Sequence, residues 1–107
     1  MDNRELAGRL RDMLTPERWW NGTAKSTGTV CLGIAVGEIF LDAEKDNERR
    51  IQITADANQQ VLDIIEELFP GRSYSPIWGG QVIPAFNDHP DTTYEDVLLV
   101  IKHLEAA

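Results

Sequence analysis

Val30-Cys31-Leu32-Gly33-Ile34-Ala35-Val36-Gly37-Glu38-Ile39-Phe40-Leu41 is the longest apolar run in the chain, and whether it forms a helix or a buried strand decides the fold class. Continuous apolarity with glycine permits a strand. The positions Leu32, Ala35, Val36, Ile39 and Phe40, however, follow the i, i+3, i+4, i+7, i+8 series of one helical face, and the length favours a helix. Gly33 and Gly37 then leave a smooth strip on that helix, at roughly 1 kcal/mol each in lost helix propensity. Another backbone can approach such a strip closely, which makes homo-oligomerisation through Gly33 and Gly37 one expectation.

Upstream, Asp2 or Asn3 can cap a first helix whose stripe is Leu6, Leu10, Met13 and Leu14. Thr15-Pro16-Glu17 has the form of a cap, a first helical position and an acid near the positive helix end, so a short second turn delivers Trp19 and Trp20. Adjacent indoles cannot share a face, so one is expected in the core and the other at a rim or groove. Residues 21–29 are polar and turn-forming, and a short hairpin is expected there.

Downstream, residues 42–50 are nearly all charged and form a solvated helix end and loop. Ile51-Gln52-Ile53-Thr54 is either a short strand or the start of the next helix. That helix carries Val61, Ile64, Ile65 and Leu68 on one face and stops at Phe69-Pro70-Gly71. Tyr74 to Val82 suits a hairpin turning at Gly79-Gly80, with Pro76 and Pro84 restricting its strands to edges. In the last helix, Thr92 and Glu95 have capping-box spacing, and Tyr94, Val97, Leu98, Ile101 and Leu104 form the stripe. Just before it, Pro90 pushes His89 out of the helical region, and Asn87 or Asp88 can form an Asx turn. The expected product is a single α+β domain over residues 1–107, dominated by about four helices with one or two short β-hairpins.

A chain of 107 residues suits one modest core. The formal charge of −8 is uneven: residues 1–50 hold eight basic and nine acidic side chains, residues 51–107 two and nine. A field of this sign opposes docking on phosphate backbones, so nucleic-acid binding is not expected. It suits a basic protein partner instead, or mimicry of nucleic acid. No apolar run approaches a membrane span, and Met1-Asp2-Asn3-Arg4-Glu5 lacks the basic start of a secretory signal, so a cytoplasmic location is expected. One cysteine makes no intramolecular disulfide, and with two histidines it falls short of a structural zinc site. Neither metal nor cofactor is expected.

Arg18-Trp19-Trp20-Asn21-Gly22, Cys31-Leu32-Gly33-Ile34-Ala35 and Asn87-Asp88 followed by Asp96-Val97 together resemble a small domain of unknown function found in actinobacteria and their phages. The match is to an Arg-Trp-x-x-Gly motif, a cysteine with a small-residue helix start, and an Asn-Asp pair. It covers nearly the whole chain, although the negative segment between Leu41 and Ile51 has no counterpart in the family pattern. The resemblance implies a phage or prophage accessory protein, and it brings no activity, substrate or cofactor.

Two chemistries compete for these residues. Cys31 at a helix N-terminus could be a nucleophile served by His89, with Asn87 or Asp88 as orienter, in a hydrolase or transferase. Against this, cysteine is among the most buried residue types, and Asn and Asp are ordinary turn residues. The carboxylate pairs Glu38/Asp42 and Glu66/Glu67 lack a second arm, and no glycine-rich phosphate cradle is present. The other chemistry is non-enzymatic binding, with Trp19, Trp20, Tyr74 and Trp78 as aromatic anchors for a protein partner. The binding module is the expectation, and the cysteine enzyme its alternative.

Overall fold

The computed structural model describes residues 1–20 and 30–107, so the hairpin expected over 21–29 lies outside the described residues. Helix α1 (Asn3–Met13) begins where the Asp2 carboxylate accepts the Glu5 N–H at 2.8 Å, and it buries Leu6, Ala7 and Leu10. A turn closed by Trp19 N–H donating to Thr15 O follows; it is a turn without a helix. Trp19 and Val30 then meet in an isolated parallel bridge.

The decisive run is helical. Helix α2 (Leu32–Ala43) buries Leu32, Ala35, Val36, Ile39 and Phe40, the face that its spacing defines. Its cap is Cys31, whose sulfur accepts the Ile34 N–H at 3.5 Å. Helix α3 (Asn47–Leu68) is capped by Asp46 and absorbs Ile51 to Thr54, which makes this segment the start of a helix and removes the strand alternative. The chain leaves α3 through Gly71, whose φ of +80° suits glycine.

Strands β1 (Tyr74–Ser75) and β2 (Gly80–Gln81) pair antiparallel, Ser75 opposite Gly80. The turn is therefore Pro76-Ile77-Trp78-Gly79, centred two residues earlier than expected. Gly79 takes the positive φ of +69°, and Gly80 belongs to the strand. Pro84 is corrected as well. It opens a short helix, α4 (Ile83–Asn87), where a missing N–H costs nothing. Helix α5 (Tyr94–Ala106) has its capping box one residue later than expected: Thr93 Oγ1 accepts from Asp96 N at 3.2 Å and Asp96 accepts from Thr93 N at 3.1 Å. Both threonines have an acid three residues on. Packing selects Thr93, because Thr92 is buried and Asp96 also binds Arg72 at 2.9 Å.

Four helices close a ring: α1 packs on α5, α5 on α3, α3 on α2 and α2 on α1. The core lies inside it, and α4 seals the α2–α3 end with Phe86, which stacks on Phe69 at 5.6 Å. The Arg72 guanidinium covers the Phe69 ring at 4.5 Å. Five helices and one two-stranded sheet among the described residues make an α+β domain. No helix among them is long and apolar enough to cross a membrane.

Arg11 joins α1 to α5 by two hydrogen bonds to Glu105, at 2.7 and 3.2 Å. The hydrogen bond from Arg11 holds the Glu105 carboxyl below its ordinary range; burial opposes this, and the charges of Arg11 and Arg4 add to it. A pKa depressed by folding contributes stability that is present above the unfolded pKa and lost as pH falls through the folded one. Glu105→Gln is accordingly expected to lower the melting temperature at neutral pH. The gap to the parent should close on acidification below the folded pKa, which thermal melts from about pH 7 to about pH 2 would show. A gap that persists in acid would mean that packing, and not charge, is lost.

Candidate functional site

Asn87 ends α4 fully buried, and its side chain joins all three motif segments. Its Oδ1 accepts the indole N–H of Trp19 at 2.8 Å and the backbone N–H of Leu32 at 3.0 Å. Its Nδ2 donates to the carbonyl of Trp20 at 2.9 Å and to Asp88 Oδ1 at 3.0 Å. An amide oxygen has two lone pairs and an amide nitrogen two hydrogens, so the side chain is saturated. The bond from Leu32 satisfies one of the free donors at the start of α2, which explains why the cysteine segment, the tryptophan pair and Asn87 occur together. Trp19 is half-buried here and also meets Tyr94 at 6.0 Å between ring centroids. Tyr94 in turn donates its hydroxyl to Leu14 O at 2.6 Å, linking the cluster to the end of α1.

Of the residues of the enzymatic alternative, Asn87, Asp88 and His89 are consecutive whereas Cys31 lies more than 50 positions away, and the hydrogen bonds accepted by Cys31 and His89 are local to their own segments. Cys31 is half-buried, and its thiol serves as the helix cap. His89 Nδ1 accepts the Asp91 N–H at 3.0 Å, two residues along its own turn, and Asp91 Oδ2 lies 3.9 Å away. Asn87 has no remaining hydrogen-bond capacity with which to orient an imidazole. Asp88 is exposed and accepts from Asn87. Among the described residues, no group of three or more His, Cys, Asp and Glu side chains could hold a metal ion.

The four aromatic candidates separate into two pairs. Trp19 and Trp20 are half-buried beside Asn87, whereas Tyr74 and Trp78 are exposed on the β1–β2 hairpin. Ile77, which sequence reasoning did not single out, is 90% exposed beside Trp78 at 77%. Its signal was available in the turn itself: Pro76-Ile77-Trp78-Gly79 places two large apolar residues where polar ones are usual. The turn is held by backbone groups. Trp78 N–H donates to Ser75 Oγ at 3.3 Å, and Gly79 N–H donates to Ser75 O at 2.8 Å. Ser73 Oγ further bonds Gln81 Oε1 across the hairpin base.

A model for a family of unknown function, DUF6197, matches residues 2–107. The chain belongs to this family. Neither a curated protein nor a solved structure matches it. The expectation of an uncharacterised small domain over nearly the whole chain agrees with DUF6197 membership, and the family name assigns no reaction to any residue. The Asn87 side chain of this DUF6197 chain has the chemistry of a fastening: a neutral amide, buried and saturated. Its hairpin tip has the chemistry of a contact surface.

Proposed function

We propose that this DUF6197 protein is a non-enzymatic protein-interaction module that docks through the β1–β2 hairpin tip. The observation that carries this reading is the exposure of Ile77 and Trp78 side by side on a turn that does not need their side chains. Large apolar side chains facing water on a rigid support are the usual anchors of interfaces. Around the hairpin, residues 66–96 carry Glu66, Glu67, Asp88, Asp91, Glu95 and Asp96 against one cation, Arg72, which is itself bound to Asp96. A partner with a basic rim around an apolar pocket complements that surface. The finer assignment, a phage or prophage accessory protein acting on a host or phage protein in the host cytoplasm, is supported by the resemblance of the three motif segments.

Affinity capture from the natural host, with wild-type and Cys31→Ala baits, tests the module against its enzymatic alternative. Both baits are expected to retain the same partner, because Cys31 lies in the cap of α2 and not on the hairpin. A covalent adduct formed by the wild type and lost with Cys31→Ala would overturn the proposal.

A further inference from the structure

A hairpin whose strands are two residues each does not hold its own orientation, so the tip carrying Ile77 and Trp78 depends on what ties its base to the helices. The chain enters it from α3 through Gly71, at positive φ, a residue type with unusual backbone freedom. The serines of the hairpin are engaged within it: Ser73 Oγ bonds Gln81 Oε1, and Ser75 Oγ accepts the Trp78 N–H. Both are buried, and β1 is seated beside α4. Arg72, between Gly71 and Ser73, reaches outward instead. Its Nη1 donates to Asp96 Oδ2 at 2.9 Å, on the first turn of α5. Its guanidinium lies 4.5 Å from the centre of the Phe69 ring, which stacks on Phe86 of α4. Each partner of the Arg72–Asp96 pair is only 24% exposed.

Helix α5 has no need of this cation. A positive charge beside a helix N-terminus is unfavourable, and the Thr93–Asp96 capping box is complete without it. Asp96 Oδ2 nevertheless accepts from both Thr93 N and Arg72 Nη1, so one carboxylate oxygen ties the cap of α5 to the root of the hairpin. We propose that Arg72 is the positioning residue of the docking tip: held by Asp96 and Phe69, it fixes the angle at which the hairpin presents Ile77 and Trp78. This rests on the docking reading above and adds to it the device that orders the tip before a partner arrives, which removes an ordering cost from binding. Arginine suits the position because its planar guanidinium stacks on a ring while donating to a carboxylate, whereas the lysine ammonium is a compact point charge.

Residual dipolar couplings of the free full chain test the clamp without any partner. In wild type the couplings of Ile77, Trp78 and Gly79 are expected to fit the alignment of the helices. In Arg72→Ala and in Asp96→Ala, which keeps the Thr93 Oγ1 cap, they should shrink at least about twofold relative to those of α4 and α5. Combining the two substitutions should add little, because each breaks the same link. Arg72→Lys, which keeps the charge without the stacked plane, should fall between wild type and Arg72→Ala. In affinity capture from the natural host, Arg72→Ala is expected to hold the partner at least about fivefold more weakly than wild type, with Arg72→Lys again intermediate. Tip couplings indifferent to both alanine variants, a loss shared equally by α4 and α5, or capture unchanged by Arg72→Ala overturns the clamp. The docking reading fails by a different result, wild-type capture by the Ile77/Trp78 double serine variant, whose clamp is intact.

Discussion

Asn87→Ala is expected to cost about 3–5 kcal/mol of folding stability, a large share of what a domain of this size possesses. The substitution leaves little empty volume, so the effect comes from what it strands. The indole N–H of Trp19, the N–H of Leu32 and the carbonyl of Trp20 all lose their partner together. A buried group that loses its hydrogen bond without gaining water costs about 1–3 kcal/mol. Asn87→Asp separates these terms. It keeps an oxygen for Trp19 and Leu32 but removes the donor to Trp20 and introduces a buried carboxyl beside Asp88. Burial and that neighbour raise the introduced group's folded-state pKa, so its variant should be most stable in acid and lose stability as pH rises through that pKa. Chemical denaturation of both variants at about pH 4.5 and about pH 7.5 measures this. A cost below about 1 kcal/mol for Asn87→Ala would reduce the cluster to an incidental contact.

Replacing Ile77 and Trp78 together by serine is expected to weaken partner capture at least about thirtyfold while moving the melting temperature by no more than about 3 °C. The two effects part because different atoms carry them. Gly79 with its positive φ, Pro76, and the bonds from Trp78 N and Gly79 N to Ser75 hold the turn, and all survive the substitution. The side chains removed are those that water already reaches in the free protein. Burying one large aromatic and one isoleucine in a complementary pocket is worth about 2 kcal/mol or more, which sets the thirtyfold scale. Trp19→Phe is the informative contrast. It breaks the bond to Asn87 and should lower stability while sparing capture. Capture that survives the double serine variant would move the docking site elsewhere.

Much of the scaffold is legible in the sequence because it is periodic. The α2 face from Leu32 to Phe40, the α1 stripe and the α5 stripe all repeat at helical spacing over several turns, and each is the face that packs. What is not legible is short or tertiary. Helix α4 spans only Ile83–Asn87, too short to stand on propensity; packing of Ile83 and Phe86 holds it, and Pro84 has the same residue signature at an edge strand as at a helix start. Asn87 has the composition of a turn residue, and nothing local distinguishes it from one. Its role comes from Trp19, Trp20 and Leu32, which the fold brings from more than 50 positions away. The sequence does place the three motif segments apart from the helices around them; only the fold makes them one cluster. Trp78 is the complementary case, since its hairpin is readable in Tyr74 to Val82 while its exposure depends on which turn positions the strands leave free.

The division between a fastened Trp19 and a free Trp78 can be read directly from the indole N–H signals of nitrogen-15-labelled protein during transfer into deuterated water. The Trp19 signal, donated to Asn87 in a buried cluster, is expected to exchange at least about a thousandfold more slowly than that of Trp78, and to lose this protection in Asn87→Ala under conditions where the chain remains folded. Equal exchange at the two indoles, or a Trp78 signal protected in the free protein, would contradict both the fastening at Asn87 and the open hairpin tip.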